Sequence, residues 1–284
     1  MKVLLTNDDG YQSPGVAAAR DALIASGAQV LTVAPDGPRS GTSRSASFRK
    51  AITLTRAGGD NDNPIYATNG TPTDCVRVAV LSGLASEIDA VVSGINEGAN
   101  LGDDATYSST LGSAIEGALL GFPAVAASQQ SRDGRFRLVD LTDYDFSWGA
   151  KIMAELTKLM IRDRSKLPAR SVLNFNAPAL PAHEVKIASL DRRIWDPSRI
   201  HSVDTENGPG WLLFGTHPEF DPVFEHRPGS DSWVLSQGDA ALTPLNFEWT
   251  LPGARSRLAR WTRSAVAELN RSLPQEQPLK ERRQ

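Results

Sequence analysis

Cysteine is nearly absent. The single thiol at Cys75 excludes an intramolecular disulfide framework and suits a reducing compartment. An excess of positive charge is also missing: 30 Lys and Arg against 33 Asp and Glu leave a formal charge of -3, with no electrostatic footprint for a nucleic-acid polymer. No apolar run reaches the roughly 18 residues of a membrane span. The chain opens on a strand-like segment instead of a signal-peptide apolar region, so the expectation is a cytoplasmic protein without membrane attachment. The four histidines, His183, His201, His217 and His226, lie scattered in the second half and lack a metal-ligand spacing such as His-Glu-x-x-His. No Gly-x-Ser-x-Gly elbow or Walker A loop occurs, which argues against a serine hydrolase and a P-loop enzyme. Disorder is excluded by the 40% hydrophobic and 22% charged composition.

What is present is ordered alternation. Lys2 to Thr6 reads as a strand, and Ser13-Pro14 caps and starts a helix bearing Val16, Ala19, Leu23 and Ile24. Gln29 to Val33 reads as a second strand. Ile52–Thr55 and Ile65–Thr68 form a hairpin around a Gly-, Asn- and Asp-rich turn. Thr71 and Asp74 have the spacing of a capping box at the head of a helix that includes Cys75, whose apolar neighbours make it a packed residue. A strand over Ile88 to Val92, a small-residue helix from Ser109 to Leu120, a strand at Pro123 to Ala127, a helix from Tyr144 to Ile161 and a strand at Ser171 to Asn174 complete an α/β unit with a mostly parallel sheet flanked by helices. After Pro178 the pattern changes to short β-like runs, Val185-Lys186-Ile187, Trp211-Leu212-Leu213-Phe214 and Trp233-Val234-Leu235, followed by an amphipathic helix over Ala254 to Leu273 carrying Leu258, Trp261, Val266 and Leu269. The expected organisation is a catalytic core over residues 1–177 and, over 178–284, a β-rich extension with a terminal helix that serves oligomerisation.

Chemistry concentrates where strands end. Asn7-Asp8-Asp9-Gly10 follows the first strand, Ser40 lies in the loop after the second, and Asn96 follows the strand over Ile88 to Val92. In a parallel sheet all three meet at the carboxyl edge, where ligands bind in open α/β folds. Adjacent aspartates repel unless a cation lies between them. Two carboxylates, a hydroxyl and an amide carbonyl are hard oxygen donors suited to Mg²⁺ or Mn²⁺, one ion per subunit, with water completing the shell. A second cluster, Ser108, Ser109 and Thr110, stands at a helix start, where hydroxyls and unpaired N–H groups make a phosphate-binding site. The plainer alternatives are a solvated turn for the acidic string and ordinary N-capping for the serines. Asp103 and Asp104 read as a charged loop face, and Glu116 as an ion-pair member.

Taken together, these strings resemble the SurE family of metal-dependent 5′/3′-nucleotidases. They are Leu5-Thr6-Asn7-Asp8-Asp9-Gly10, Val33-Ala34-Pro35-Asp36, Arg39-Ser40-Gly41, Asn69 to Val76, Ser93-Gly94-Ile95-Asn96 with Gly98 and Asn100, Tyr107-Ser108 with Thr110, Asn174 to Pro178 and Thr243-Pro244-Leu245. The resemblance runs from the first strand to about residue 250. It implies a Rossmann-like core and hydrolysis of nucleoside 5′- and 3′-monophosphates, with short polyphosphate as a further substrate. It also implies metal ligation by Asp8, Asp9, Ser40 and Asn96, phosphate contact by Ser108 and Thr110, and a homodimer or homotetramer. Asp8 and Asp9 are then the candidate catalytic residues, with water favoured over a carboxylate as nucleophile. The chain departs from the family at Ser109, where glycine is usual, and around Gly238-Asp239-Ala240-Ala241. A metal- and nucleotide-binding regulatory module without turnover is the alternative function.

Overall fold

The computed structural model describes residues 1–132, 144–196, 198, 200–212, 221–248 and 257–272. Strand β1 (Lys2–Thr6) leads into helix α1 (Pro14–Ala25), whose cap Ser13 accepts from the Val16 N–H and which has proline in its first turn. Next come β2 (Gln29–Pro35), the antiparallel pair β3 (Leu54–Gly59) and β4 (Pro64–Thr68), and α2 (Pro72–Leu81). The capping box anticipated at Thr71 and Asp74 is formed in both directions. Cys75 is buried within α2, and burial pushes its thiol pKa up, as befits a packed residue. The chain continues through β5 (Ala90–Glu97), a short 3-10 helix (Gly102–Tyr107), α3 (Ser109–Leu119), β6 (Ala124–Gln129), α4 (Ser147–Arg162) and β7 (Ser171–Ala177).

The sheet has nine strands in the order β3-β4-β2-β1-β5-β6-β7, then β11 (Ala240–Asn246) and β8 (Val185–Ile187). β1 pairs in parallel with β2 on one side and β5 on the other, so the strand order reverses over β1. Residues alternate between two apolar clusters as the pleat requires. Val3, Leu5, Val30, Val92, Val125 and Phe175 pack with Val16, Leu23 and Met153 of α1 and α4; Leu4, Val33, Val91, Ala126 and Val172 pack with Val76, Leu111 and Ile115 of α2 and α3. The result is a three-layer α/β fold, the class expected.

The second half departs from expectation in two ways. The contacts divide the chain into a unit of residues 1–247 and a unit of 248–284, whereas the sequence suggests a boundary at 177/178. The reason is β11, which pairs antiparallel with β7 over six residues and in parallel with β8, extending the core sheet. Pro244 is tolerated there because β8 pairs only Ala240 to Leu242, so the missing N–H falls where no neighbour needs it. Second, Trp233-Val234-Leu235 belongs to a helix, α5 (Asp231–Ser236), not a strand. An apolar triplet carries no period, and Ser230 capping the Trp233 N–H settles the outcome. The β-like run expected from Trp211-Leu212 does begin in a strand, β10 (Gly208–Leu212), which pairs with β9 (His201–Thr205) in a separate two-stranded hairpin. Of the expected run through Phe214, residues 213 and 214 lie outside the described residues, as does His217. In the second unit, α6 (Arg257–Ser272) corresponds to the expected terminal helix; residues 254–256 and 273, and the side chains of Leu258 and Leu269, lie outside the described residues. No helix among the described residues is long and apolar enough to cross a membrane.

Candidate active site

The acidic turn is shaped by Asn7. Its amide Nδ2 donates to the Gly10 carbonyl at 3.2 Å and to Ser13 Oγ at 2.9 Å, and its Oδ1 accepts from the Gly10 N–H at 3.2 Å. Asn7 therefore folds Asp8 and Asp9 back over the end of β1 while holding the residue that caps α1. Sequence reading gave Asn7 no role of its own, although an asparagine that can close a turn onto residue i+3 is a signal of this kind. α1 sits close to the rim because Gly15 lacks a side chain: a Cβ there would lie 2.0 Å from the Ile95 carbonyl oxygen.

The loop after β2, the end of β5 and the first turn of α3 then converge on the two aspartates. The Arg39 N–H donates to the Asp8 carbonyl at 2.7 Å, one residue before Ser40. The Glu97 N–H donates to Asp9 Oδ2 at 3.4 Å, one residue after Asn96. The Thr110 hydroxyl donates to Asp8 Oδ1 at 2.5 Å, joining α3 to β1. α3 is also tied to β5, since Ser113 Oγ lies 2.8 Å from Ser93 Oγ and donates to the Ser109 and Thr110 carbonyls. Asp8, Ser108, Ser109 and Thr110 are buried, Asp9 and Asn96 are partly buried, and Ser40 is exposed.

The electrostatics are those of clustered carboxylates. Burial raises the Asp8 carboxyl to about 6 against the opposing pull of the Thr110 hydroxyl. Asp9 is raised further, by burial first, then by the charges of Asp8 and Glu97. Glu97 is itself raised by burial. No basic side chain is among the groups that shift these three. Among the described residues no three His, Cys, Asp or Glu side chains form a metal cage; Ser40 and Asn96, the oxygen donors that the sequence adds to the two carboxylates, each adjoin a residue whose backbone N–H reaches an aspartate. Asn96 fits that set, because its Nδ2 is committed to the Gly98 carbonyl at 2.7 Å and its carbonyl oxygen is left as the acceptor.

The three hydroxyls expected to meet phosphate are engaged within the chain. Ser108 is the N-cap of α3, accepting from the Leu111 N–H at 3.0 Å. The Ser109 hydroxyl lies against the loop at Arg39 and Thr42, and Thr110 is bonded to Asp8. What α3 retains for an anion is its first-turn N–H groups, which have no partner within the helix.

The other polar residues singled out in the sequence are engaged elsewhere in the chain. Asn100 is clamped, its N–H donating to Asn176 Oδ1 at 2.8 Å and its carbonyl accepting from Asn174 and Asn176. Asp104 is ion-paired with Arg193 at 2.6 Å, and Asp103 accepts from the Arg193 N–H. Glu116 pairs with Arg44 at 2.5 Å. His226 lies 3.3 Å from Ser232 Oγ in the extension, in no bond to the aspartate pair.

The family profile described as Survival protein SurE matches residues 3–197. The 5′-nucleotidase SurE of Geotalea uraniireducens is 37% identical over 265 residues, covering 92% of this chain and 99% of that protein. The 5′-nucleotidase SurE of Aeromonas hydrophila is 38% identical over 266 residues, covering 92% and 98%. The crystal structure of the SurE protein from Aquifex aeolicus superposes with a TM-score of 0.74 at 30% identity, covering 95% of this chain and all of that one. On the match of profile, sequence and architecture, the chain belongs to the SurE family.

Proposed function

We propose that this chain is a metal-dependent phosphomonoesterase that hydrolyses nucleoside 5′- and 3′-monophosphates to nucleoside and phosphate, with short polyphosphate as a further substrate. The observation that carries the reading is the convergence of Arg39, Glu97 and Thr110 on a carboxylate pair, Asp8 buried and Asp9 partly buried, that no basic side chain neutralises among the described residues. The naming of the curated relatives as 5′-nucleotidases supports the 5′-activity.

Asp8, Asp9, Ser40 and Asn96 would hold one Mg²⁺ or Mn²⁺. When bound, the ion supplies charge to polarise a phosphoryl oxygen and to lower the pKa of a water nucleophile. Asp8 and Asp9 contribute the negative charge that selects a cation at this rim. Thr110 fixes the Asp8 carboxylate through its hydroxyl. The first-turn N–H groups of α3, at Ser109 and Thr110, stabilise charge on the phosphoryl oxygens. We also infer a homodimer or homotetramer working without nucleic-acid or membrane partners.

Phosphate release from 5′-AMP and 3′-AMP tests the function. With Mn²⁺ or Mg²⁺ the protein should release phosphate and after chelation should not. Tight nucleotide binding without release would favour the regulatory-module alternative.

A further inference from the structure

Ser40 stands at the second position of a four-residue turn, Arg39 to Thr42, whose third residue Gly41 has a φ of +71°. That conformation is typical of a turn closed by a bond from the fourth N–H to the first carbonyl. Here a third residue completes the closure. The Thr42 N–H donates to Ser109 Oγ at 2.9 Å, and Ser109 Oγ donates to the Arg39 carbonyl at 3.1 Å. The Thr42 hydroxyl lies 2.9 Å from Ser109 Oγ and also donates to the Arg39 carbonyl at 3.0 Å. Ser109 is fully buried. The loop stays on α3 beyond this point: the Ser43 N–H reaches the Tyr107 carbonyl at 3.0 Å, and Gly112 lets the backbone at Ser43 come so close that a Cβ would lie 2.6 Å from its carbonyl oxygen.

We propose that Ser109 is a positioning residue: its hydroxyl, inserted into the turn that carries Ser40, locks that turn to the same helical turn from which Thr110 reaches Asp8. The inference rests on the metal site proposed above. It adds that the Ser40 and Asp8 ligands are held in register by adjacent residues of α3, so the geometry of the cation site is set from one helix end. Without the hydroxyl, the Arg39 carbonyl keeps the Thr42 hydroxyl but the Thr42 N–H loses its acceptor, and the tip bearing Ser40 is released. Asp8, Asp9 and Asn96 keep their own anchors.

The test compares the full chain with Ser109→Ala, which keeps a good helix former at the first turn, and with Ser109→Thr, which restores a hydroxyl. Two quantities are read: hydrogen exchange of the Thr42 amide in metal-free protein, and Mn²⁺ affinity by titration. In Ser109→Ala the Thr42 amide should exchange about tenfold faster or more, and Mn²⁺ should bind about 10- to 100-fold more weakly, the usual effect of losing an outer-sphere support. Ser109→Thr should recover most of both. Unchanged Thr42 exchange, or faster exchange with unaltered Mn²⁺ affinity, overturns the role of Ser109 while leaving the metal site standing. Absence of Mn²⁺ binding by the parent chain overturns the metal site itself and this inference with it.

Discussion

At the scale of single residues, Asp8 is the hub. Its carboxylate accepts from Thr110 and its carbonyl from Arg39, so one residue links β1, the loop after β2 and α3. Asp8→Asn keeps an acceptor for Thr110 and removes the charge. The variant should fold like the parent, lose detectable Mn²⁺ binding and fall more than about 100-fold in phosphate release. Near-normal activity would remove Asp8 from the cation site.

Asp9 supports a pH prediction. Burial and the neighbouring carboxylates raise it to about 8 in the folded chain, from 3.8 for the unperturbed group. Between those values the folded state binds more protons than the unfolded state, so Asp9 subtracts stability as pH rises. Metal-free Asp9→Asn escapes this term. Its stability relative to the parent, by urea unfolding, should grow from about pH 5 to about pH 8, reaching about 1 kcal/mol or more, and saturating Mn²⁺ should reverse the order. A constant difference across that range would contradict the electrostatic description.

At the scale of elements, the close approach of α1 to β5 decides where the acidic turn sits. Helix propensity alone would favour Gly15→Ala by about 1 kcal/mol. The new Cβ, however, would lie 2.0 Å from the Ile95 carbonyl oxygen, a backbone atom that cannot swing aside. Sterics should win, with a net loss of about 1–3 kcal/mol in thermal or urea unfolding and weakened Mn²⁺ binding. A more stable variant would show that α1 is free to shift. Elements with an unambiguous period or cap were legible in the sequence: α1 from Ser13-Pro14, α2 from its capping box, and α3 from Ser108 onward. Trp233 to Leu235 was not, because three consecutive apolar residues fit a buried strand as well as a short helix, and the deciding signal, Ser230, lies outside the triplet.

At the scale of the whole molecule, local patterns could place Asp8, Ser40 and Asn96 at the carboxyl edge of a parallel sheet, but the β2-β1-β5 order that opens the crevice over Asp8 came from the strand pairings. They could not place β11 beside β7, since that pairing joins residues about 70 positions apart and no local period encodes it. Nor could they show that the Ser109 and Thr110 hydroxyls are spent on the chain itself, which needs the loop from Arg39 to Thr42 and the turn at Asp8 laid against α3. The far edge of the sheet bears on assembly. Among the described residues β8 is paired on one side only, and Ile187 is 80% exposed there, with Leu180 at 70% and Trp195 at 61% in the segments flanking β8. Open strand edges and apolar exposure invite association. Light scattering should give two or four times the 30.6 kDa chain mass, and Ile187→Lys should shift the population toward the single chain. A single-chain mass for the parent would refute the proposed oligomer.

The central claim is that the ends of separate strands, and the loops that follow them, deliver oxygen donors to one cation. Anomalous diffraction from crystals soaked in Mn²⁺ tests it most directly. The account predicts one strong peak per chain within about 2.5 Å of oxygens from Asp8, Asp9, Ser40 and Asn96. A peak coordinated elsewhere, or none at this rim at saturating Mn²⁺, would contradict it.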